Sequence, residues 1–217
     1  MSRRFNCDEP EQRTQGLDLA AGAVRRGELV VFPTDTVYGL GADAFNSEAV
    51  LLLLDAKGRG RDMPVPVLVG SPRTLTGIAT GLDDVAHALI DAFWPGGLTI
   101  VVRHQPSLQW DLGDSRGTVA VRMPLHPVAI ELLTETGPMA VSSANKSGAP
   151  PASSCDEAYD QLGDAVSIYL DGGPTGDGLA SSIVDLTGAE PRVLRVGVVS
   201  VESLREVAPN LVAPPVP

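Results

Sequence analysis

Strand-like segments that follow one another with no helix between them constrain this sequence most, because a regularly wound parallel sheet needs a crossover helix at every step. Residues 29–32 and 37–41, 98–103 and 119–121, and 182–186 and 193–196 form such pairs, each separated by turn-forming residues. Further apolar runs at 65–69, 139–141 and 166–170 also read as strands. Helical spacing marks Leu17, Ala20, Ala21 and Val24, with Gly27 as a left-handed stop. A second helix runs from Ser47 as N-cap to Gly58, and others cover 83–94, 126–136, 156–162 and 200–207. The pattern predicts an α/β (α+β) fold built on a twisted mixed sheet with flanking helices.

At 217 residues and 43% hydrophobic content, one domain with a sizeable core is expected. It should span residues 13–208, between a polar N-terminal tail (1–12) and a proline-rich C-terminal tail (209–217). No apolar run approaches the about 20 residues of a membrane span. No apolar stretch follows the charged N-terminus as in a secretory signal, so a cytoplasmic location is expected. Cys7 and Cys155 are too few for a disulfide framework, and they and the scattered His87, His104 and His126 suggest no metal site. The formal charge of −11 opposes non-specific nucleic-acid binding and directs attention to the local basic cluster Lys57, Arg59 and Arg61.

No Walker motif and no Gly-x-Gly-x-x-Gly turn occurs, so any nucleotide must be held by side-chain cations. Lys57-Gly58-Arg59 could grip a triphosphate, with a guanidinium fork beside a point charge, although taken alone the tripeptide fits a helix C-terminus better. Pro33 cannot donate a ladder hydrogen bond, so Thr34, Asp35 and Thr36 stand at a strand end. Ser143-Ala144-Asn145-Lys146-Ser147-Gly148 superimposes three serine-enzyme signatures on six residues and cannot place them separately; it reads as a ligand-contacting loop or as a cap. The glycine-dense stretch 171–178 lacks a calcium loop's carboxylates and reads as a loop approaching a ligand, delivering Ser181 and Ser182 beside it.

In order along the chain, Pro33-Thr34-Asp35-Thr36-Val37-Tyr38-Gly39-Leu40-Gly41, Lys57-Gly58-Arg59, Ala120-Val121-Arg122-Met123-Pro124 and Ser143-Ala144-Asn145 resemble the YrdC-like threonylcarbamoyl-AMP synthases. The likeness continues through Asp171-Gly172-Gly173, residues 181–185 and Leu194-Arg195. It implies a single-domain YrdC-like sheet with a large concave cleft, and a nucleotidyltransferase that makes threonylcarbamoyl-adenylate and pyrophosphate from L-threonine, bicarbonate and ATP. The product would supply a tRNA modification, which makes a downstream tRNA threonylcarbamoyl transferase complex an expected partner. By the same resemblance Lys57 and Arg59 are catalytic and bind ATP with Thr118, Ser143, Asn145 and Arg195. Thr34, Thr36, Tyr38, Arg122 and Ser182 bind threonine, Mg2+ accompanies the phosphates, and no protein metal ligand is named. Asp35 stands where many relatives carry Glu, Gly60 where Pro is frequent, Ser182 where Thr is common and Leu68 near a family histidine. Two other readings remain: an RNA- or tRNA-binding module, which only 4% aromatic residues disfavours, and a carbamoyl-adenylate enzyme acting on another amine.

Overall fold

The computed structural model describes residues 2–176 and 178–214; Met1, Asp177 of the glycine-dense stretch and 215–217 of the expected C-terminal tail lie outside them. In chain order, β1 (Arg3–Asn6), α1 (Pro10–Arg25), β2 (Val30–Phe32), β3 (Gly39–Asp43), α2 (Ser47–Lys57) and β4 (Val67–Leu68) come first. The single turn α3 (Leu75–Ile78), β5 (Ala79–Thr80), α4 (Asp84–Phe93), β6 (Leu98–His104), β7 (Thr118–Arg122), α5 (Pro127–Thr136) and β8 (Met139–Ser143) follow. The chain then forms α6 (Cys155–Leu162), β9 (Ile168–Asp171), β10 (Ser182–Asp185), β11 (Arg192–Arg195) and α7 (Val201–Val207).

The strands lie in the order β1-β9-β2-β3-β8-β4-β7-β6-β10-β11, with β5 beside β6. Parallel pairs (β1/β9, β2/β9, β4/β7, β6/β10) mix with antiparallel ones (β2/β3, β3/β8, β4/β8, β6/β7, β10/β11), as the helix-free connections require.

Alternate strand residues point to opposite faces, so the sheet builds two apolar clusters. Val31, Val67, Ala140, Tyr169, Leu98, Ile100, Val121 and Val184 join one, with Leu53 of α2, Leu89 of α4, Ala158 of α6 and Leu204 of α7. Val30, Phe32, Leu68, Met139, Val141, Ile168 and Leu170 join the other, under Ala20 and Val24 of α1 and Val128 and Leu132 of α5. This second cluster takes in none of β6, β7, β10 or β11, so that half of the face has no helical cover. Among the described residues no helix is long and apolar enough to cross a membrane.

The described part of the expected N-terminal tail, residues 2–12, carries regular structure. Phe5 in β1 is buried and α1 already begins at Pro10, whose missing N–H costs nothing in a first turn. Residues 209–214 are docked as well: Leu211 is buried and Val212 bridges Arg192. α2 is capped by Asn46 rather than Ser47, its side chain accepting from Glu48 N and Ala49 N.

The close seating of α1 on β1 and β9 explains Gly16, where an added Cβ would stand 2.8 Å from Phe5 Cβ and 2.9 Å from Leu170 Cδ2. Gly16→Ala should therefore destabilise the fold by about 1–3 kcal/mol in urea denaturation, although alanine is the better helix former.

Candidate active site

The uncovered half-face is a cleft of about 450 Å³. Thr99 and Val101 of β6, Thr118, Ala120 and Arg122 of β7, Ile183 of β10 and Arg195 of β11 line its floor, as strand alternation dictates. The turn 34–38 and the loop carrying Arg59, Pro64 and Val65 supply its walls.

At one end, Pro33 stops β2 and the next residues form a hydroxyl turn. Thr34 Oγ1 donates to Val37 O (2.6 Å) and lies 3.0 Å from Thr36 Oγ1. Arg122 reaches this turn from the end of β7. Its Nε donates to Gly96 O (2.8 Å), Nη1 to Thr36 Oγ1 (2.9 Å) and Nη2 to Asp35 Oδ1 (2.6 Å). Asp35 Oδ1 also accepts from Leu125 N at 2.8 Å. The pair is nearly dry, with side-chain exposures of 6% for Arg122 and 17% for Asp35, so each charge depends on the other.

The other end is cationic. Among the described residues Arg59 Nη1 and Nη2 make only long contacts, 3.4 Å each, to Ser142 Oγ and Pro64 O, and its buried Nε has no partner. Arg195 donates from Nε to Ser181 O (2.9 Å) and from Nη2 to Ser181 Oγ (3.0 Å); that hydroxyl lies 2.8 Å from Thr99 Oγ1. Neither arginine pairs with a carboxylate among the described residues. Burial lowers the pKa of Arg59, Arg122 and Arg195, and Arg195 is lowered further by the other two, so the three cations share one field.

Eight of the expected site residues line the cleft: Thr34, Thr36, Tyr38, Arg59, Thr118, Arg122, Ser143 and Arg195. Tyr38 does so with its hydroxyl turned away, donating to Gly173 O at 2.6 Å. Three do not line it. Lys57 is buried against Ser143 O and Asn145 O, and Asn145 spends Nδ2 on Lys146 O and Ala149 O. Ser182, expected in the threonine pocket, is fully buried; its hydroxyl donates to Val199 O (2.6 Å) and accepts from Gly197 N and Val199 N. One residue of strand parity separates it from Ser181, which does line the cleft. Thr99, Ser115 and Ser142 also line it without having been expected to. Alternation of Thr99 and Val101 with the core residues Leu98 and Ile100 was the available signal for Thr99.

Residues 22–197 match the Sua5/YciO/YrdC family, described as telomere recombination. The chain belongs to this family. It is 62% identical over 207 residues to a Mycobacterium tuberculosis protein named "Putative threonylcarbamoyl-AMP synthase", covering 95% of each chain. It is 38% identical over 190 residues to the threonylcarbamoyl-AMP synthase of Pyrococcus abyssi, covering 87% of this chain and 56% of that one. The structure of P. abyssi Sua5 complexed with L-threonine superposes with a TM-score of 0.92 at 34% identity, covering 99% of this chain and 63% of that chain. The chain thus spans less than two thirds of the Pyrococcus protein and nearly all of the mycobacterial one. Escherichia coli YciO, at 28% identity and a TM-score of 0.83, is covered over its full length.

Because Asp35 is the carboxylate on Arg122, Asp35→Ala should cost about 3 kcal/mol in urea denaturation by leaving a buried cation unpaired. Asp111→Ala, which removes the exposed partner of Arg61, should leave the midpoint nearly unchanged.

Proposed function

We propose that this chain makes threonylcarbamoyl-adenylate and pyrophosphate from L-threonine, bicarbonate and ATP. The observation that carries the reading is the charge of the cleft. Three guanidiniums line it, Arg122 buried, Arg59 partly buried and Arg195 more exposed, and among the described residues only Arg122 is paired with a carboxylate, Asp35, in a chain of net charge −11. Such a surplus suits a polyanion, and its placement suits a triphosphate at Arg59 and Arg195.

The amine of threonine attacks the bicarbonate carbon, expelling the elements of water, and gives a carbamate. A carbamate oxygen then forms a bond to the α-phosphorus as the bond from that phosphorus to the bridging oxygen breaks and pyrophosphate leaves. No nucleophile from the protein is required. The chain aligns two small acids with ATP and offsets the charge that gathers on the departing pyrophosphate. Arg59, with its unpartnered Nε, takes the phosphates; Arg195, Thr118 and Ser143 complete the nucleotide end.

Arg122, turned into the hydroxyl nest of Thr34 and Thr36, takes the threonine carboxylate. The small polar surroundings favour a β-hydroxyl over the methyl of valine, which would leave hydroxyls unpaired. Among the described residues no three His, Cys, Asp or Glu side chains gather as a metal site, and Asp35 is held by Arg122. The reading has Mg2+ enter with ATP, as part of the substrate, carried by the phosphates.

The reading places the enzyme in the cytoplasm, with a downstream tRNA threonylcarbamoyl transferase complex as consumer of the adenylate. Direct capture of RNA is disfavoured by the net charge of −11 and the 4% aromatic content.

Incubation with ATP, Mg2+ and bicarbonate, adding amino acids one at a time, should release pyrophosphate with threonine and little with valine. Arg59→Ala should lower kcat/KM for ATP about 100-fold with the fold intact. No release with threonine, together with tight and salt-sensitive tRNA binding, would replace the proposal with the RNA-binding one.

A further inference from the structure

Lys57 ends α2, and Gly58 after it (φ 63°) is left-handed, a conformation costly for other residues. The turn sends Lys57 inward and Arg59 to the cleft. The Lys57 ammonium donates to Ser143 O at 2.5 Å and Asn145 O at 2.7 Å, with Asn145 Oδ1 at 3.4 Å. A second link runs alongside, from Ser147 N to Lys57 O at 2.8 Å. Asn145 Nδ2 closes the segment on itself through Lys146 O (2.9 Å) and Ala149 O (2.8 Å). The stretch after β8 is therefore folded so that its oxygens converge on one cation.

An ammonium has three protons, and three oxygens surround this one, so none is left for a phosphate. Ser142 and Ser143, immediately before this segment, are in the cleft wall, and Ser142 Oγ is the side-chain contact of Arg59. Residue choice agrees with this role. The chain has fourteen arginines and two lysines, Lys57 and the exposed Lys146. A compact ammonium fits among three converging oxygens, whereas a planar guanidinium does not. Burial, reinforced by Arg59, lowers the Lys57 pKa to about 8, as befits a cation held only by neutral oxygens.

We propose that Lys57 is a positioning residue that never meets the nucleotide: by anchoring the Ser143–Asn145 carbonyls it sets where Ser142, Ser143 and Arg59 stand to receive the phosphates. The proposal rests on the adenylate-forming reading for its ligand, and on the geometry alone for the anchor.

The test compares wild type with Lys57→Met and Lys57→Arg. In ligand-free protein, amide hydrogen exchange across residues 143–149 should quicken about tenfold in both variants, since the segment loses its charged donor; unchanged exchange overturns the proposal. Affinity for a non-hydrolysable ATP analogue, measured by calorimetry, should also fall about tenfold in both variants. Recovery of wild-type affinity by arginine would reveal a direct phosphate contact and likewise overturn it.

Wild type supplies a readout that depends on no variant folding. With 15N-labelled lysine, one ammonium should be protected from solvent exchange before nucleotide is added and should gain no phosphorus coupling afterwards. An unprotected ammonium, or a coupling, would defeat the proposal. Failure of wild type to bind the analogue would remove the adenylate-forming reading, and the exchange measurement would still judge the anchor.

Discussion

The two-residue period of the strands, acting on a sheet whose second face is only half covered, governs everything functional in this molecule. α1 and α5 cover β9, β2, β3 and β8 on that face, and the apolar residues there become core. Across β7, β6, β10 and β11 the same face carries Thr118, Ala120, Arg122, Thr99, Val101, Ile183 and Arg195, which would be poor core residues and instead floor a cleft. The opposite face of those strands is Leu98, Ile100, Val121 and Val184, fully buried. The site therefore rests on a doubly used sheet: β6, β7 and β10 fix their ligand-facing side chains by burying the neighbours on either side, whereas Arg195 of β11 stands between the exposed Leu194 and Val196.

Charge is distributed along the cleft as sharply as polarity is across the sheet. At the Thr34–Thr36 end the guanidinium of Arg122 is balanced by Asp35 and locked by three hydrogen bonds, so its position is set before any ligand arrives. At the far end Arg59 is held by two long contacts and Arg195 by one serine. One end is orienting and nearly neutral, the other loosely held and positive. A small zwitterion that must be aimed and a polyanion that must be attracted make these two demands. The chain's net charge of −11 sets these guanidiniums against an acidic background.

Much of this was legible in the sequence, and the failures have definite physical causes. The mixed sheet followed from strand pairs lacking a crossover helix, and the hydroxyl turn followed from Pro33. Arg59, Arg122 and Arg195 were named before their convergence could be seen, through the resemblance of whole motifs rather than any single spacing. Ser182 was misplaced by one residue because a Ser-Ser pair gives no sign of which hydroxyl faces which side. Its buried bonds to the 197–199 turn depend on a contact fifteen residues away. The resemblance implies ligand roles for Lys57 and Asn145, and no spacing in the sequence signals that both side chains bond within the fold. Only the left-handed Gly58 reveals the opposite directions of Lys57 and Arg59. β1 was invisible for another reason. Arg3, Arg4 and Asn6 at a sheet edge are polar, and its one buried side chain, Phe5, cannot make a periodic signal alone.

The cations gathered here also explain why the fold must be well braced around them. Removing a guanidinium from water is costly unless an anion or several good acceptors replace the lost hydration. Arg122 has such replacement from Asp35, Thr36 and Gly96; Arg59 does not, and its Nε is buried without a partner. That deficit must be balanced by packing elsewhere, which the fully buried Leu40, Leu53, Leu98 and Ile100 of the core cluster on the opposite face supply. It is relieved when an anion enters and satisfies Arg59 directly. A ligand bound only by the folded chain stabilises it in proportion to the logarithm of its concentration over its dissociation constant. Under the proposed function, the unsatisfied Arg59 is therefore where a phosphate has the most to contribute.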